Sequence, residues 1–114
     1  MTTILGTHKK KYCFASRGIL GPDDLIAIIH QVIKACGMTP AREPRVDTYP
    51  YLGGGGRGFT LYQPLMESYL IADVYYDLNE TEVLISTCKP KRMRPQQVIS
   101  ILETHIGPTK EVKL

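Results

Sequence analysis

In "GPDDLIAIIHQVIKACG" the apolar residues Leu25, Ile28, Ile29, Val32, Ile33 and Cys36 recur at i, i+3, i+4, i+7, i+8 and i+11. This is the single stripe of a helix that packs on one side. Its ends agree with that reading. Pro22 suits the first helical position, Asp23 and Asp24 suit the positive end of the helix dipole, and Gly37 suits the left-handed residue after the last turn. A second one-sided pattern, Val98, Ile101, Leu102 and Ile106, predicts a helix from about Pro95 to Ile106, opened by Pro95 and stopped by Gly107-Pro108. Segments rich in Val, Ile, Tyr and Thr predict strands at about Lys9 to Ser16, Arg45 to Tyr49, Arg57 to Tyr62, Tyr69 to Tyr76 and Glu82 to Cys88. The order β-α-β-β-β-β-α predicts an α+β fold, a two-layer sandwich whose antiparallel sheet is covered on one face by two helices.

The strand expected at Tyr69 to Tyr76 is apolar on both sides, with Tyr69, Ile71 and Tyr75 alternating against Leu70, Ala72, Val74 and Tyr76. A solvated second face would read as polar. A second copy of the chain packing sheet to sheet is the natural cover, so a homodimer is expected. With 114 residues, 43% of them hydrophobic and 22% charged, the chain suits one globular domain over residues 1–114. No run of 18 apolar residues occurs, and the charges of "MTTILGTHKKKYCF" follow its short apolar piece, the reverse of a secretory signal. A soluble cytoplasmic protein without a membrane partner is expected. Cys13, Cys36 and Cys88 make an odd number without CxxC spacing, which points to free thiols and no metal. The net charge of +3 gathers in "HKKK" and "CKPKRMR", but no aromatics interleave as a stacking platform for nucleic acid would require, so no nucleic-acid partner is expected.

Candidate chemistry sits in the hairpin. With a turn at "DLNET" centred near Asn79, Cys88 falls opposite Leu70, and positions 68, 70 and 88 share one face. Ser68 and Cys88 could then meet over one substrate. Strand alternation puts Asp73 on the opposite face from Ser68, so the two cooperate only if the chain breaks near Ser68. Tyr49, Tyr51 and Phe59 are the aromatics available to stack on a flat ring. "GGGGRG" from Gly53 lacks the Lys-Ser/Thr and following helix of a phosphate loop, and reads as a flap or a long turn. His8, His30 and His105 lack metal-ligand spacing.

In order, Leu5-Gly6-Thr7-His8, a helix, a Gly-rich turn, "GFT", "MES", a hairpin and "STC" resemble the small bacterial and archaeal S-adenosylmethionine decarboxylase proenzymes over nearly the whole chain. The resemblance implies self-cleavage between Glu67 and Ser68, with Ser68 becoming a pyruvoyl group, an electron sink for loss of carbon dioxide from S-adenosylmethionine on the route to spermidine. Cys88, 20 residues after Ser68, falls on the family's catalytic cysteine, Thr60 on a hydroxyl residue that assists processing, and Asp77 on a carboxylate that holds ribose hydroxyls. Tyr49, Tyr51 and Phe59 would then face the adenine. The sequence departs from the family pattern in three places. Tyr69 and Asp73 stand where the family has histidines, and Tyr12 where it has an acidic residue. Because an ionised aspartate accepts a proton but has none to give, the change at Asp73 bears on maturation. Two alternatives follow: a non-catalytic, unprocessed homologue acting as a binding or regulatory partner, and a pyruvoyl decarboxylase of another amino acid such as arginine or ornithine.

Overall fold

The computed structural model describes residues 9–49 and 58–114. Strand β1 (Lys10–Arg17) leads into helix α1 (Pro22–Ala35). Strands β2 (Arg45–Thr48), β3 (Gly58–Leu65), β4 (Ser68–Tyr75) and β5 (Glu80–Thr87) follow, then a 3₁₀ turn (Pro90–Arg92), helix α2 (Pro95–His105) and strand β6 (Thr109–Val112). The six strands form one sheet in the order β2-β3-β4-β5-β1-β6, and every neighbouring pair is antiparallel. The fold is α+β, as the sequence predicts.

Local signals set the helix ends. Pro22 opens α1, while the Met38 N–H bonds to the Ile33 carbonyl and the Gly37 N–H to the Lys34 carbonyl, with Gly37 at φ 64°. That is the paired-bond cap which needs a left-handed residue, and it turns the chain sharply into the Thr39–Pro40 loop. The α1 stripe (Leu25, Ile28, Ile29, Val32, Ile33) and Val98 and Leu102 of α2 are buried together with Phe14, Phe59, Leu61, Leu70, Ala72, Val74, Val83 and Ile85. Both helices therefore share one face of the sheet.

The other face carries, in register across the strands, Tyr62, Ile71, Leu84 and Cys13 in one row, and Asp47, Thr60, Asp73 and Glu82 in the next. Ile71, Leu84, Tyr62 and Tyr69 there are only partly buried.

Three features differ from the sequence expectation. β3 runs through Pro64 to Leu65 instead of ending at Tyr62. The Pro64 carbonyl accepts the Ala41 N–H, so the backbone groups of Pro64 point away from β4 and its missing N–H breaks no rung of that ladder. A sixth strand, β6, pairs with β1 beyond the Gly107-Pro108 stop. Its sequence, Thr-Lys-Glu-Val, has too little apolar character to announce a strand, and the β1 edge recruits it.

The third difference is the hairpin register. Tyr75 pairs with Glu80 around a four-residue turn, which places Leu70 opposite Ile85 and Ser68 opposite Thr87. The expected pairing of Leu70 with Cys88 is shifted by three residues. An odd shift exchanges faces, so Leu70 lies in the helix-side core and not beside Cys88.

Among the described residues no helix is long and apolar enough to cross a membrane.

Candidate functional site

Glu67 and Ser68 sit where β3 turns into β4, a reversal with only Met66 and Glu67 between the strands. Tight reversals favour unusual backbone angles, and Ser68 has φ 157°, a region that glycine enters at lower cost. The ladders nonetheless run in unbroken register through Ser68, opposite Leu65 and Thr87, so the unusual angle marks the strand start and not a bulge within it. By register Ser68 would face the helices, yet its hydroxyl donates to Ser86 Oγ at 3.1 Å, and Ser86, opposite Tyr69, belongs to the outer face. Cys88 follows one residue past β5 and is half-buried, and its N–H donates to the Glu67 carbonyl at 3.0 Å. Cys88 thus follows directly on Thr87, the cross-strand partner of Ser68, in a pairing different from the one expected.

The Glu67 side chain is held as firmly as its carbonyl. Oε1 accepts the Thr39 N–H at 3.0 Å, Oε2 lies 3.3 Å from Arg92 Nη1, and the side chain is 10% exposed.

A second group of predicted residues lies at the far end of the same strands. Thr60 pairs with Asp73 across the β3–β4 ladder and donates to its carboxylate at 2.6 Å. Because that bond uses the one hydroxyl proton of Thr60, the 2.6 Å contact with the Tyr49 hydroxyl is donated by Tyr49. Asp73 is the accepting end of this chain of hydrogen bonds. Tyr49, Gly58, Asp73, Tyr75 and Asp77 line a shallow pocket of about 260 Å³. At Gly58 a side chain would run into the Val74 carbonyl. Burial, then the nearby carboxylates Asp73, Glu82 and Glu80, push the Tyr75 phenol up from its ordinary value.

Asp73 is five residues beyond Ser68 along a continuous strand. At about 3.3 Å per residue the two are about 16 Å apart, and Asp77 in the following turn is farther still. Within one chain, therefore, neither Asp73 nor Thr60 reaches Ser68, and Asp77 does not share a nucleoside-sized site with it. The sequence expectation of a single site needs this correction, because alternation counts faces and says nothing of length along the strand.

Phe59 is 1% exposed, with its ring edge-on to Tyr76 at 6.2 Å, and so belongs to the core while also forming part of the wall of the Tyr49–Asp77 pocket. Tyr51, His8 and the "GGGGRG" tract lie outside the described residues, while His30 and His105 are exposed on the helices. Among the described residues no group of three or more His, Cys, Asp or Glu could hold a metal ion.

Sequence reasoning missed three participants. Ser86 had a usable signal, since it stands two residues before Cys88 and strand alternation places both on one side. Arg92 and Thr39 had none, being 25 and 28 residues from Glu67. No protein-family model matches the chain, and no curated protein matches it.

Proposed function

We propose that the chain is a self-processing, pyruvoyl-dependent decarboxylase with an S-adenosylmethionine decarboxylase-like fold, cleaving itself between Glu67 and Ser68. The observation that carries the reading is the state of the Glu67–Ser68 peptide. Its carbonyl oxygen already accepts the Cys88 N–H at 3.0 Å, and the residue that follows is a serine at φ 157°. A preset donor on the carbonyl oxygen stabilises the negative charge that develops there when a nucleophile adds to the carbon.

Ser68 Oγ adds to the Glu67 carbonyl carbon, its proton leaving along the contact with Ser86. Collapse breaks the Glu67–Ser68 C–N bond, the nitrogen takes up a proton, and an ester joins Glu67 to the serine oxygen. Loss of the Ser68 α-proton expels the Glu67 carboxylate and breaks the Cβ–O bond. The resulting dehydroalanine tautomerises to an imine, water adds, ammonia leaves, and residue 68 heads the new chain as a pyruvoyl group. Once formed, that group supplies an electron sink to an amino-acid substrate. Cys88, beside it, holds a thiol for returning a proton to the product carbon.

S-adenosylmethionine as substrate, and spermidine synthesis as purpose, rest on the sequence resemblance. Arginine or ornithine are the alternatives, because the Tyr49–Asp77 pocket stands too far from Ser68 in the same chain to receive a ribose. The apolar row of Tyr62, Ile71 and Leu84 supports a homodimer packed on this face.

A second reading, a non-catalytic homologue that stays intact and serves as a binding partner, is favoured by one feature. The hydrogen bond of the Ser68 hydroxyl goes to another hydroxyl and not to an imidazole or carboxylate. Intact mass of the purified chain, before and after incubation with hydroxylamine, decides between them. Two fragments meeting between Glu67 and Ser68 are expected. A single full-length species that hydroxylamine leaves unchanged refutes self-cleavage and favours the second reading.

A further inference from the structure

Glu67 is gripped at both ends by one short segment. The Cys88 N–H holds its main-chain carbonyl, and Arg92, four residues on, holds its side-chain carboxylate. That segment is itself rigid. The Lys89 N–H donates to Thr87 Oγ1 at 2.9 Å, the Arg92 N–H to the Lys89 carbonyl at 3.0 Å and the Met93 N–H to the Pro90 carbonyl at 3.1 Å. From the opposite side the turn is tied to the end of α1. The Thr39 N–H meets Glu67 Oε1, the Met66 N–H meets the Thr39 carbonyl at 2.8 Å, and Pro40 bridges to Leu65. Arg92 closes the frame by also donating to the Gly37 carbonyl at 3.2 Å.

We propose that Arg92, together with the Thr39 amide, is a positioning device for self-cleavage, holding the Glu67 carboxylate so that the Glu67 carbonyl stays on the Cys88 N–H and within reach of Ser68. This rests on the self-cleavage reading above and adds to it the residue that makes the geometry hold.

The physical case is one of leverage. A carbonyl at a two-residue reversal has few restraints of its own, and Ser68 departs from extended geometry at that point. Attack needs the serine oxygen and the carbonyl carbon at near-contact distance, and a displacement of about 1 Å costs on the order of a hundredfold in rate. Fixing the carboxylate of the same residue restrains rotation about its backbone. Arg92 is 50% exposed and Glu67 only 10%, so the pair is open to salt on one side while the carboxylate is shielded on the other. After cleavage the same contacts would keep the new chain end at Glu67 beside residue 68.

The test compares the full-length chain with Arg92→Ala and Arg92→Lys, each checked for folding by circular dichroism and urea midpoint. Fragment formation is followed by mass spectrometry with and without hydroxylamine, which cleaves the ester and so reports how much of it forms. Arg92→Ala is expected to slow fragment formation about tenfold or more and to lower the hydroxylamine-dependent yield in the same proportion, since the step lost is the attack on Glu67. Arg92→Lys, which keeps the charge without the planar fork, should recover part of the rate. Raising salt should slow the parent chain and leave Arg92→Ala unaffected. Cleavage of folded Arg92→Ala at the parental rate overturns the positioning role while leaving self-cleavage standing. An unchanged hydroxylamine yield with slower fragment release also overturns it, because Arg92 would then act after the ester. Absence of any cleavage in the parent overturns both readings.

Discussion

Ser68 combines a proposed chemical role with an unfavourable backbone angle, and two substitutions separate them. Ser68→Gly and Ser68→Ala both delete the hydroxyl, both leave Ser86 without its 3.1 Å donor, and both give an uncleavable chain, so they differ only in the β-carbon. In an ordinary strand glycine is less stable than alanine by about 0.5–1 kcal/mol, because it loses more backbone freedom on folding. At φ 157° the β-carbon carries strain of about 1–3 kcal/mol, which alanine keeps and glycine sheds. With strain of about 2 kcal/mol, the glycine variant should be the more stable by about 1 kcal/mol, or about 4 °C in melting temperature. Ala15→Gly, in the regular part of β1, serves as the control and should destabilise by about 0.5–1 kcal/mol. Urea unfolding followed by circular dichroism resolves differences of this size. If Ser68→Ala proves as stable as Ser68→Gly or more so, the turn stores no strain at this residue, and the claim that the Glu67–Ser68 peptide is held in a special geometry loses its backbone half.

Four further outcomes follow from the same structure. Asp73→His should leave the rate of fragment formation within about twofold of the parent, since five strand residues separate it from Ser68, about 16 Å at the rise of a strand; marked acceleration on a denaturing gel would mean that residue 73 reaches the site from another chain. Burial pushes the Cys13 and Cys36 thiols up, with Glu82 adding to the effect on Cys13, so iodoacetamide at neutral pH should label half-buried Cys88 first, as read by peptide mass spectrometry. The Tyr75 phenol is raised in the fold and so favours the neutral form there; its share of stability is complete below the ordinary tyrosine value near 10 and is lost as pH climbs through the raised value. Tyr75→Phe should flatten that alkaline loss in urea titrations, and an unchanged pH profile would count against the assignment. If the proposed homodimer packs on the outer sheet face, Ile71→Lys in its centre should leave only monomer in analytical ultracentrifugation, whereas a dimer that persists in the variant would count against packing on that face.

The helices were legible because their signals are local. The stripe from Leu25 to Ile33, Pro22 and Pro95 at the starts, and Gly37 after the end are all read within a few turns of chain, and α1 and α2 begin where those residues indicate. The α+β class followed from the order of elements. Strand edges were less legible. Pro64 argues against a strand on its own, yet its position on the side of β3 away from β4 makes it harmless, and β6 exists only because β1 offers an unpaired edge to a polar segment.

For the site, local sequence was enough to show which residue types are present and that Ser68 and Cys88 flank one hairpin. Tertiary structure decided their register. Alternation has a period of two residues, so a turn misplaced by an odd number exchanges faces without altering the hydrophobic pattern of either strand. It also decided distance, since Ser68 and Asp73 are near neighbours in sequence but an extended strand holds them at opposite ends of the sheet. Finally, only the folded chain could show that Glu67 is held by Thr39 and Arg92. Such contacts arise where three loops converge, and no local pattern along the sequence encodes which loops those are.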